Sequence, residues 1–208
     1  MENTKILEKV SPMNRERYEY IWIPSFQESN IPLECLLDRM DEYIVKKDKQ
    51  DIGSLAFIDY GLDSGLNEIY NFLDIDFIRY NWKDVTEIDY ISVSKVHRSD
   101  ESLERLLYSI YYYLLTTNKK YGVMLFNPSF YFLLKRIYKF PLTRVDNKEK
   151  VTHNKWESIA CYLSVEELVH KVANEEKMQF FFSLGKEFHP ELLDVLFPVK
   201  ELAVSFNS

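Results

Sequence analysis

The sequence predicts an α/β (α+β) domain built around a mixed β-sheet, and one continuous part of the chain carries this prediction. Residues 87–94 (EIDYISVS) have the β-rich alternation of a strand. An apolar stripe at helical spacing follows, and residues 121–126 (YGVMLF) then form an apolar run of strand length. Strand, long helix and strand in this order indicate a crossover unit. The stripe consists of Leu103, Leu106, Leu107, Ile110, Tyr111, Leu114 and Leu115.

The remaining elements are predicted from the same two periodicities. Further strands are expected at 53–60, 140–145 and 157–164. Further helices are expected at 14–22, from Asn127-Pro128 onward and at 165–172, and residues 33–45 have helical or mixed periodicity. No repeat or Pro/Gly/Ser-rich linker interrupts the chain, so we expect residues 1–208 to form a single domain.

Within the strand at 87–94, strict alternation divides the side chains between two faces. It places Ile88, Tyr90 and Ser92 on one face. It places Asp89, Ile91 and Val93 on the other face.

Composition and cysteine usage limit the classes of protein. With 46% hydrophobic and 28% charged residues, the composition is that of a soluble globular protein. No apolar run has the length of a membrane span, and the N-terminal residues lack the apolar stretch of a signal peptide, so we expect a cytoplasmic protein. Cys35 and Cys161 lie far apart without metal-ligand spacing, which predicts small buried side chains and no metal site.

The charge is unevenly distributed along the chain. A net charge of −7 argues against a nucleic-acid partner. Residues 118–155 nevertheless contain nine basic and two acidic residues. Two interpretations remain open: this segment is either an ordinary solvated surface or a contact for an acidic partner.

The junction between the strand and the long helix lies where many α/β proteins hold a phosphate. Ser99 is a candidate N-cap, and Asp100 and Glu101 in the first turn complement the helix dipole. No glycine is present in this turn, and its two acids repel phosphate. The sequence therefore predicts weak binding of a pyrophosphate at this turn.

Residues 87–115 and 121–142 resemble the core of the GNAT acyltransferase superfamily. Residues 15–20, 38–43 (DRMDEY) and 52–58 (IGSLAFI) resemble the branch that contains autoinducer synthases and long-chain N-acyl amino acid synthases. The resemblance implies a mixed, mostly antiparallel central sheet with a parallel crossover pair, flanked by helices on both faces. It also implies acyl transfer from a thioester to an amine.

The resemblance also implies site residues, although parts of the superfamily pattern are missing. It makes Glu87 the candidate base, with Asp89 and His97 as alternatives, and Tyr138 the group that protonates the leaving thiolate. The donor is expected to contact Ser92, Val93, Arg98, Ser99 and Asn127. Glu101 and Leu103 replace superfamily glycines, and Tyr90 stands where the branch has an arginine. Glu87 as an ordinary strand-end acid and Tyr138 as a packing tyrosine remain the simpler interpretations.

These inferences predict an N-acyltransferase that moves a fatty-acyl group from acyl carrier protein, or acyl-CoA, to the amine of a small molecule such as an amino acid. No tightly bound cofactor is expected, and Lys135, Arg136 and Lys139 are the candidate contacts for the carrier protein. One or two of the tyrosines at 111–113 are candidates to line the acyl groove, although packing against the sheet is the role that the sequence favours for them. A GNAT-like binding module without catalysis and an acetyl-CoA-dependent N-acetyltransferase are the alternatives.

Overall fold

The computed structural model describes residues 5–29, 40–145, 151–153 and 156–196. The strands are β1 (Leu7–Lys9), β2 (Asp41–Lys47), β3 (Gln50–Asp59), β4 (Val85–Val93), β5 (Tyr121–Phe126), β6 (Leu142–Arg144), β7 (Val151–His153) and β8 (Trp156–Ser164). The α-helices are α1 (Arg15–Glu28), α2 (Asp76–Tyr80), α3 (Asp100–Thr116), α4 (Pro128–Arg136), α5 (Val165–Asn174), α6 (Phe180–Phe188) and α7 (Pro190–Leu196). Short 3₁₀ helices lie at Gly65–Glu68, Phe72–Asp74, Trp82–Asp84, Lys95–His97 and Glu176–Met178.

The described strands form one mixed sheet in the order β1-β2-β3-β4-β5-β8-β6, with β7 paired to β8. Among the described strands, only β4 and β5 pair in parallel, and α3 provides the crossover between them. The other described pairs are antiparallel. Helices α3 to α6 pack on one face, and α1 and α2 pack on the other. The predicted fold class is thereby confirmed.

Helices α3 and α4 begin at the residues that their caps dictate. The Ser99 hydroxyl accepts the N–H of Ser102 at 3.4 Å, which confirms Ser99 as the N-cap of α3. The Asn127 side chain accepts the N–H of Ser129 at 2.9 Å, and Pro128 occupies the first position of α4. Both caps bring a strand-to-helix junction to the same edge of the sheet, one after β4 and one after β5.

A β-bulge in β4 interrupts the predicted alternation, so Ile88 does not share a face with Tyr90 and Ser92 as predicted. Ser92 and Asp89 pair with Ser54 and Ala56 of β3, so Tyr90 and Ile91 together oppose a single residue. Tyr90 adopts a φ of 50°, in the left-handed region. The extra residue turns Tyr90 to the α1 face, where its ring stacks on Phe26 at 5.3 Å. Ile88, Ile91 and Val93 contact the core on the α3 face.

Strand β2 and the segment between β3 and β4 differ from the sequence prediction. Residues 41–45 were expected to continue a segment of helical or mixed periodicity, but they belong to β2, because pairing with β1 and β3 satisfies their backbone. The rest of that stretch, 33–39, lies outside the described residues. Residues 61–84 form short helical turns for which the sequence has no periodic signal.

Gly53 provides a test of how closely β3 and β4 approach each other. A β-carbon at this position would lie 2.8 Å from the Ser92 carbonyl oxygen, so Gly53→Ala forces the two strands apart. We expect the free energy of unfolding to fall by about 1–3 kcal/mol in urea titrations. Gly65→Ala is the control, since its β-carbon would meet no atom within 4 Å, and its stability should be unchanged or slightly higher. Equal stability of the two variants would contradict this account.

Candidate functional site

A cavity of about 870 Å³ opens where β4 and β5 separate. Their parallel ladder runs from Val85 and Tyr121 to Glu87 and Val123, whereas both strands continue beyond it. Residues 87–93 and 125–127 line the cavity, together with parts of α1, α3 and α4 and the turn at 65–69. The volume lies in the range of small-molecule and cofactor sites.

All seven site residues expected from the sequence line this one cavity. They come from β4, from the turn before α3, from the cap of α4 and from the residues after α4. The set consists of Glu87, Ser92, Val93, Arg98, Ser99, Asn127 and Tyr138. The structure therefore brings the candidate base, the candidate acid and the candidate donor contacts together, while their chemical roles remain predictions.

Glu87 has the environment of a general base. The residue is only 3% exposed, and burial raises the pKa of its carboxyl to about 7, with a further contribution from the charge of Asp89. The Ser64 hydroxyl donates to Glu87 Oε2 at 2.5 Å and opposes this rise. A carboxyl group with a pKa near the working pH exchanges protons in both directions, which general acid–base chemistry requires.

The two alternative bases differ in position. Asp89 also lines the cavity, and its Oδ1 accepts the N–H of Tyr90 at 2.7 Å. His97 lies in the 3₁₀ turn after β4 and is not among the residues that line the cavity. The geometry therefore favours a carboxylate of β4 over His97.

Tyr138 borders the cavity from the side of α4. It is 5% exposed, and its ring makes an edge contact with Phe180 of α6 at 6.4 Å. The side chain thus packs against the core and also reaches the cavity. Its position is compatible both with a packing tyrosine and with the candidate acid for the leaving thiolate.

The end of β4 provides polar groups for a ligand. The Ser92 hydroxyl is buried, and it has no hydrogen-bond partner within the part of the chain that the structure describes. A buried hydroxyl normally has such a partner, so a bound ligand is a natural one. Ser94 donates its N–H to Ile52 of β3 at 2.8 Å. Because successive residues alternate, Val93 directs its N–H to the opposite edge of β4, which borders the cavity.

Arg98 is already paired with a carboxylate of the chain. Glu28, the last residue of α1, accepts from Arg98 at 2.8 Å and from Lys95 at 2.8 Å. A phosphate at Arg98 therefore competes with Glu28 for the guanidinium. Glu101 is also paired, with Lys47 at 2.5 Å and with Arg105 at 3.3 Å, so its charge is less repulsive toward a phosphate than the sequence suggested.

The tyrosines at 111–113 are not among the residues that line the cavity, and their contacts agree with the packing role that the sequence favoured over a place in an acyl groove. Tyr113 stacks on Phe57 of the sheet at 3.6 Å, and Tyr112 stacks on His189 at 3.7 Å. Tyr111 makes an edge contact with Phe181 of α6 at 5.3 Å, so the three tyrosines pack against β3 and against the C-terminal helices. The cavity takes its aromatic residues from other elements, namely Phe26, Tyr90, Phe126, Phe130 and Tyr138.

Sequence reasoning missed the wall of the cavity formed by α1 and by the segment after β3. Ser25, Phe26 and Ser29 line it from α1 and its C-cap, and residues 65–69 line it from a 3₁₀ turn. Ser64, directly before that turn, contacts Glu87. Non-periodic segments carry no signal of their tertiary contacts, and no feature of the sequence identifies these residues.

Cys161 is fully buried, and burial raises the pKa of its thiol, as expected for a small packing residue. Cys35 lies outside the described residues. Among the residues that the structure describes, no three His, Cys, Asp or Glu side chains are arranged to hold a metal ion. No described helix combines the length and apolar character that crossing a bilayer requires.

Solved structures share the architecture of this chain, although no family model and no curated protein sequence matches it. The N-acyl amino acid synthase FeeM, from uncultured soil microbes, matches with a TM-score of 0.63 and 16% identity, over 84% of this chain and 97% of FeeM. The CoA-dependent acyl-homoserine lactone synthase BjaI, with SAM and isopentyl-CoA, matches with a TM-score of 0.57 and 10% identity, over 86% of this chain and 88% of BjaI. The AHL synthase LasI matches with a TM-score of 0.54 and 10% identity, over 76% of this chain and 88% of LasI.

This chain has the GNAT fold. The resemblance drawn from the sequence, to the branch of autoinducer synthases and N-acyl amino acid synthases, is confirmed at the level of the fold. Identities of 10% to 16% leave the chemistry to be argued from the residues of this chain.

The buried Glu87 predicts a pH-dependent effect on stability. The ordinary pKa of this group is 4.5 and its folded value is about 7, so the folded state binds more protons between these values and stability falls as the pH rises. Glu87→Gln removes this loss and should be more stable than the parent by about 3 kcal/mol above pH 7. The gain should vanish toward pH 4.

Urea titrations at pH 4, 6 and 8 measure this difference. Glu68→Gln is the matched control, because Glu68 lines the same cavity but is exposed. Its effect on stability should not grow with pH. A constant difference between Glu87→Gln and the parent at all three pH values would show that Glu87 is not held in the environment described.

Proposed function

We propose that this protein is an N-acyltransferase that moves a fatty-acyl group from a thioester donor to the amine of a small molecule such as an amino acid. The observation that carries the proposal is Glu87, a carboxyl with a pKa of about 7 that lines a largely apolar cavity next to the end of β4. The donor is acyl carrier protein or acyl-CoA.

The reaction needs a base, hydrogen-bond donors and an acid, and the cavity has a candidate for each. The amine nitrogen attacks the thioester carbonyl carbon, and Glu87 accepts the proton that the nitrogen loses. The N–H of Val93 and the hydroxyl of Ser92 border the same space and are candidates to donate hydrogen bonds to the donor. As the carbon–sulfur bond breaks, Tyr138 gives its proton to the leaving thiolate.

The charges near Glu87 support an amine as the acceptor. Glu68 and Asp89 line the same cavity, so an ammonium group is attracted to this end before it gives up its proton. A carboxylate base next to the bound amine then makes the nitrogen nucleophilic.

The lining of the cavity supports a long acyl group over an acetyl group. Leu103, Leu125, Phe126, Phe130 and Leu133 contribute apolar walls, and the volume of about 870 Å³ far exceeds the needs of two carbons. Burial of these walls against an acyl chain provides binding energy in proportion to the area covered.

Glu87 also argues for catalysis over a binding module that has lost its chemistry. A buried carboxyl with a raised pKa destabilises the folded state at neutral pH. A module that only binds apolar ligands gains nothing from such a group, whereas a proton transfer depends on it.

The surface formed by α4 and the residues directly after it supports a carrier protein as the donor. Lys135, Arg136 and Lys139 are exposed there, although Lys135 also donates to the Leu142 carbonyl at 2.7 Å. The same helix exposes the apolar side chains of Phe132, Leu133 and Ile137, and Leu133 also lines the cavity. A basic and apolar surface at the mouth of the cavity suits an acidic partner that delivers an acyl chain. BjaI is named a CoA-dependent synthase, so acyl-CoA remains the second donor.

The function is tested by incubating the protein with acyl carrier protein or CoA thioesters of several chain lengths and a mixture of amines. Mass spectrometry should detect N-acyl products, with long chains preferred over acetyl. Glu87→Gln should lower turnover by roughly 10²- to 10⁴-fold. Products from acetyl-CoA alone would favour the acetyltransferase, and no product from any donor would favour the binding module.

The carrier surface is tested by charge reversal. Arg136→Glu combined with Lys139→Glu should slow association with the acyl carrier protein by about 10- to 10³-fold and weaken its salt dependence. Lys49→Glu with Lys177→Glu is the control, because both lysines are exposed and neither belongs to α4. Equal kinetics for the two double variants would assign Arg136 and Lys139 to ordinary solvated surface.

A further inference from the structure

Ser64 is a buried residue that connects one wall of the cavity to Glu87. It precedes the 3₁₀ turn Gly65–Glu68 and is 8% exposed. Its hydroxyl oxygen lies 2.5 Å from Glu87 Oε2 and 3.3 Å from the backbone nitrogen of Leu66. One atom therefore contacts both the candidate base and the turn that lines the cavity.

The direction of these two hydrogen bonds follows from the chemistry of a hydroxyl. The Leu66 N–H donates, so it occupies a lone pair of the Ser64 oxygen. The single hydroxyl hydrogen then points to Glu87 Oε2. Because Oε2 is engaged, Oε1 is the oxygen left to take a proton from a group in the cavity.

The segment that carries Ser64 is held in place from β3. The hydroxyl of Tyr60 donates to the Asn67 side chain and accepts the N–H of Phe72 at 2.9 Å. The Asn67 amide in turn donates to the carbonyl of Gly61 at 2.8 Å. Ser64 thus lies between two anchored points, as a group that must fix the geometry of another side chain should.

We propose that Ser64 is a positioning residue for acyl transfer, which holds the Glu87 carboxylate by Oε2 and presents Oε1 to the acceptor amine. This inference rests on the proposed function of Glu87 as the base. The Leu66 N–H donates to the same Ser64 hydroxyl, so the turn at residues 65–69 is connected to the base through Ser64.

The other groups around Glu87 act differently from Ser64. Asp89, on the same strand, raises the pKa of Glu87, as does burial. Tyr60 follows β3, and burial, with a smaller contribution from the charge of Glu87, raises the pKa of its phenol to about 12, so it is neutral at the working pH. Glu68 and Tyr138 face the same cavity. Of these groups, Ser64 is the one whose hydrogen bond favours the charged carboxylate.

Ser64→Ala tests the proposal through the pH dependence of turnover. Loss of the donor should move the rise of kcat with pH upward by about one to two pH units. It should also lower kcat by roughly tenfold or more at pH 7, with the KM for the acyl donor unchanged. Ser64→Thr keeps the hydroxyl and should retain the parent profile.

Asn71→Ala is the matched control for a purely structural role. Asn71 caps the next 3₁₀ turn by accepting the N–H of Leu73 at 3.2 Å, and its described contacts do not include Glu87. It should lower stability without moving the pH profile. If Ser64→Ala behaves in the same way, Ser64 is only a cap and the proposal is overturned.

Carbon-13 NMR of the Glu87 carboxyl, assigned by its absence in Glu87→Gln, separates this proposal from the proposed function. A higher pKa in Ser64→Ala supports control of the carboxyl by Ser64, even if the parent protein transfers no acyl group. An unchanged pKa overturns the proposal, even if the parent is an active acyltransferase.

Discussion

The parallel pairing of β4 with β5 stops at Glu87 and Val123, and the cavity exists because of this stop. Backbone groups of β4 beyond Glu87 face open space on the β5 side, where a continued sheet would have covered them. The antiparallel partner of β4 on its other edge continues to Val93, so the strand remains ordered while it borders the cavity. One strand therefore both supports the core and supplies the candidate site.

The bulge at Tyr90 determines which side chains this strand gives to each face. Without the extra residue, Ile88 and Tyr90 would point to the same side of the sheet. With it, the Tyr90 ring joins Trp22 and Phe26 of α1, at centroid distances of 4.7 and 5.3 Å. This aromatic contact fixes the end of α1 beside the cavity, and α1 then supplies Phe26 and Glu28 to the site.

The sequence was informative where periodicity and caps decide the structure. The apolar stripe of α3 and the Asn127-Pro128 cap of α4 are local signals, and they placed Ser99 and Asn127 at one edge of the sheet. The bulge was not predictable, because a tyrosine seldom adopts a φ of 50° and only the pairing with β3 on both sides of Tyr90 imposes it. The contact of Ser64 with Glu87 joins the segment between β3 and β4 to β4 itself, and the first of these has no periodic pattern in the sequence. Long-range contacts of this kind depend on tertiary packing.

The ion pairs of Glu28 with Arg98 and Lys95 make the protein its own competitor for an anionic donor. A tethered carboxylate has a high effective concentration at the two cations, so a phosphate binds there in competition with it. If a phosphate takes the place of the Glu28 carboxylate, the net charge around Arg98 and Lys95 stays nearly constant. Electrostatic attraction to these two cations therefore adds little binding free energy for an anionic donor. In the proposed reaction, selection of the donor then depends on its other contacts, such as the apolar walls or the surface of α4, and we expect a thioester without a long chain to bind less well.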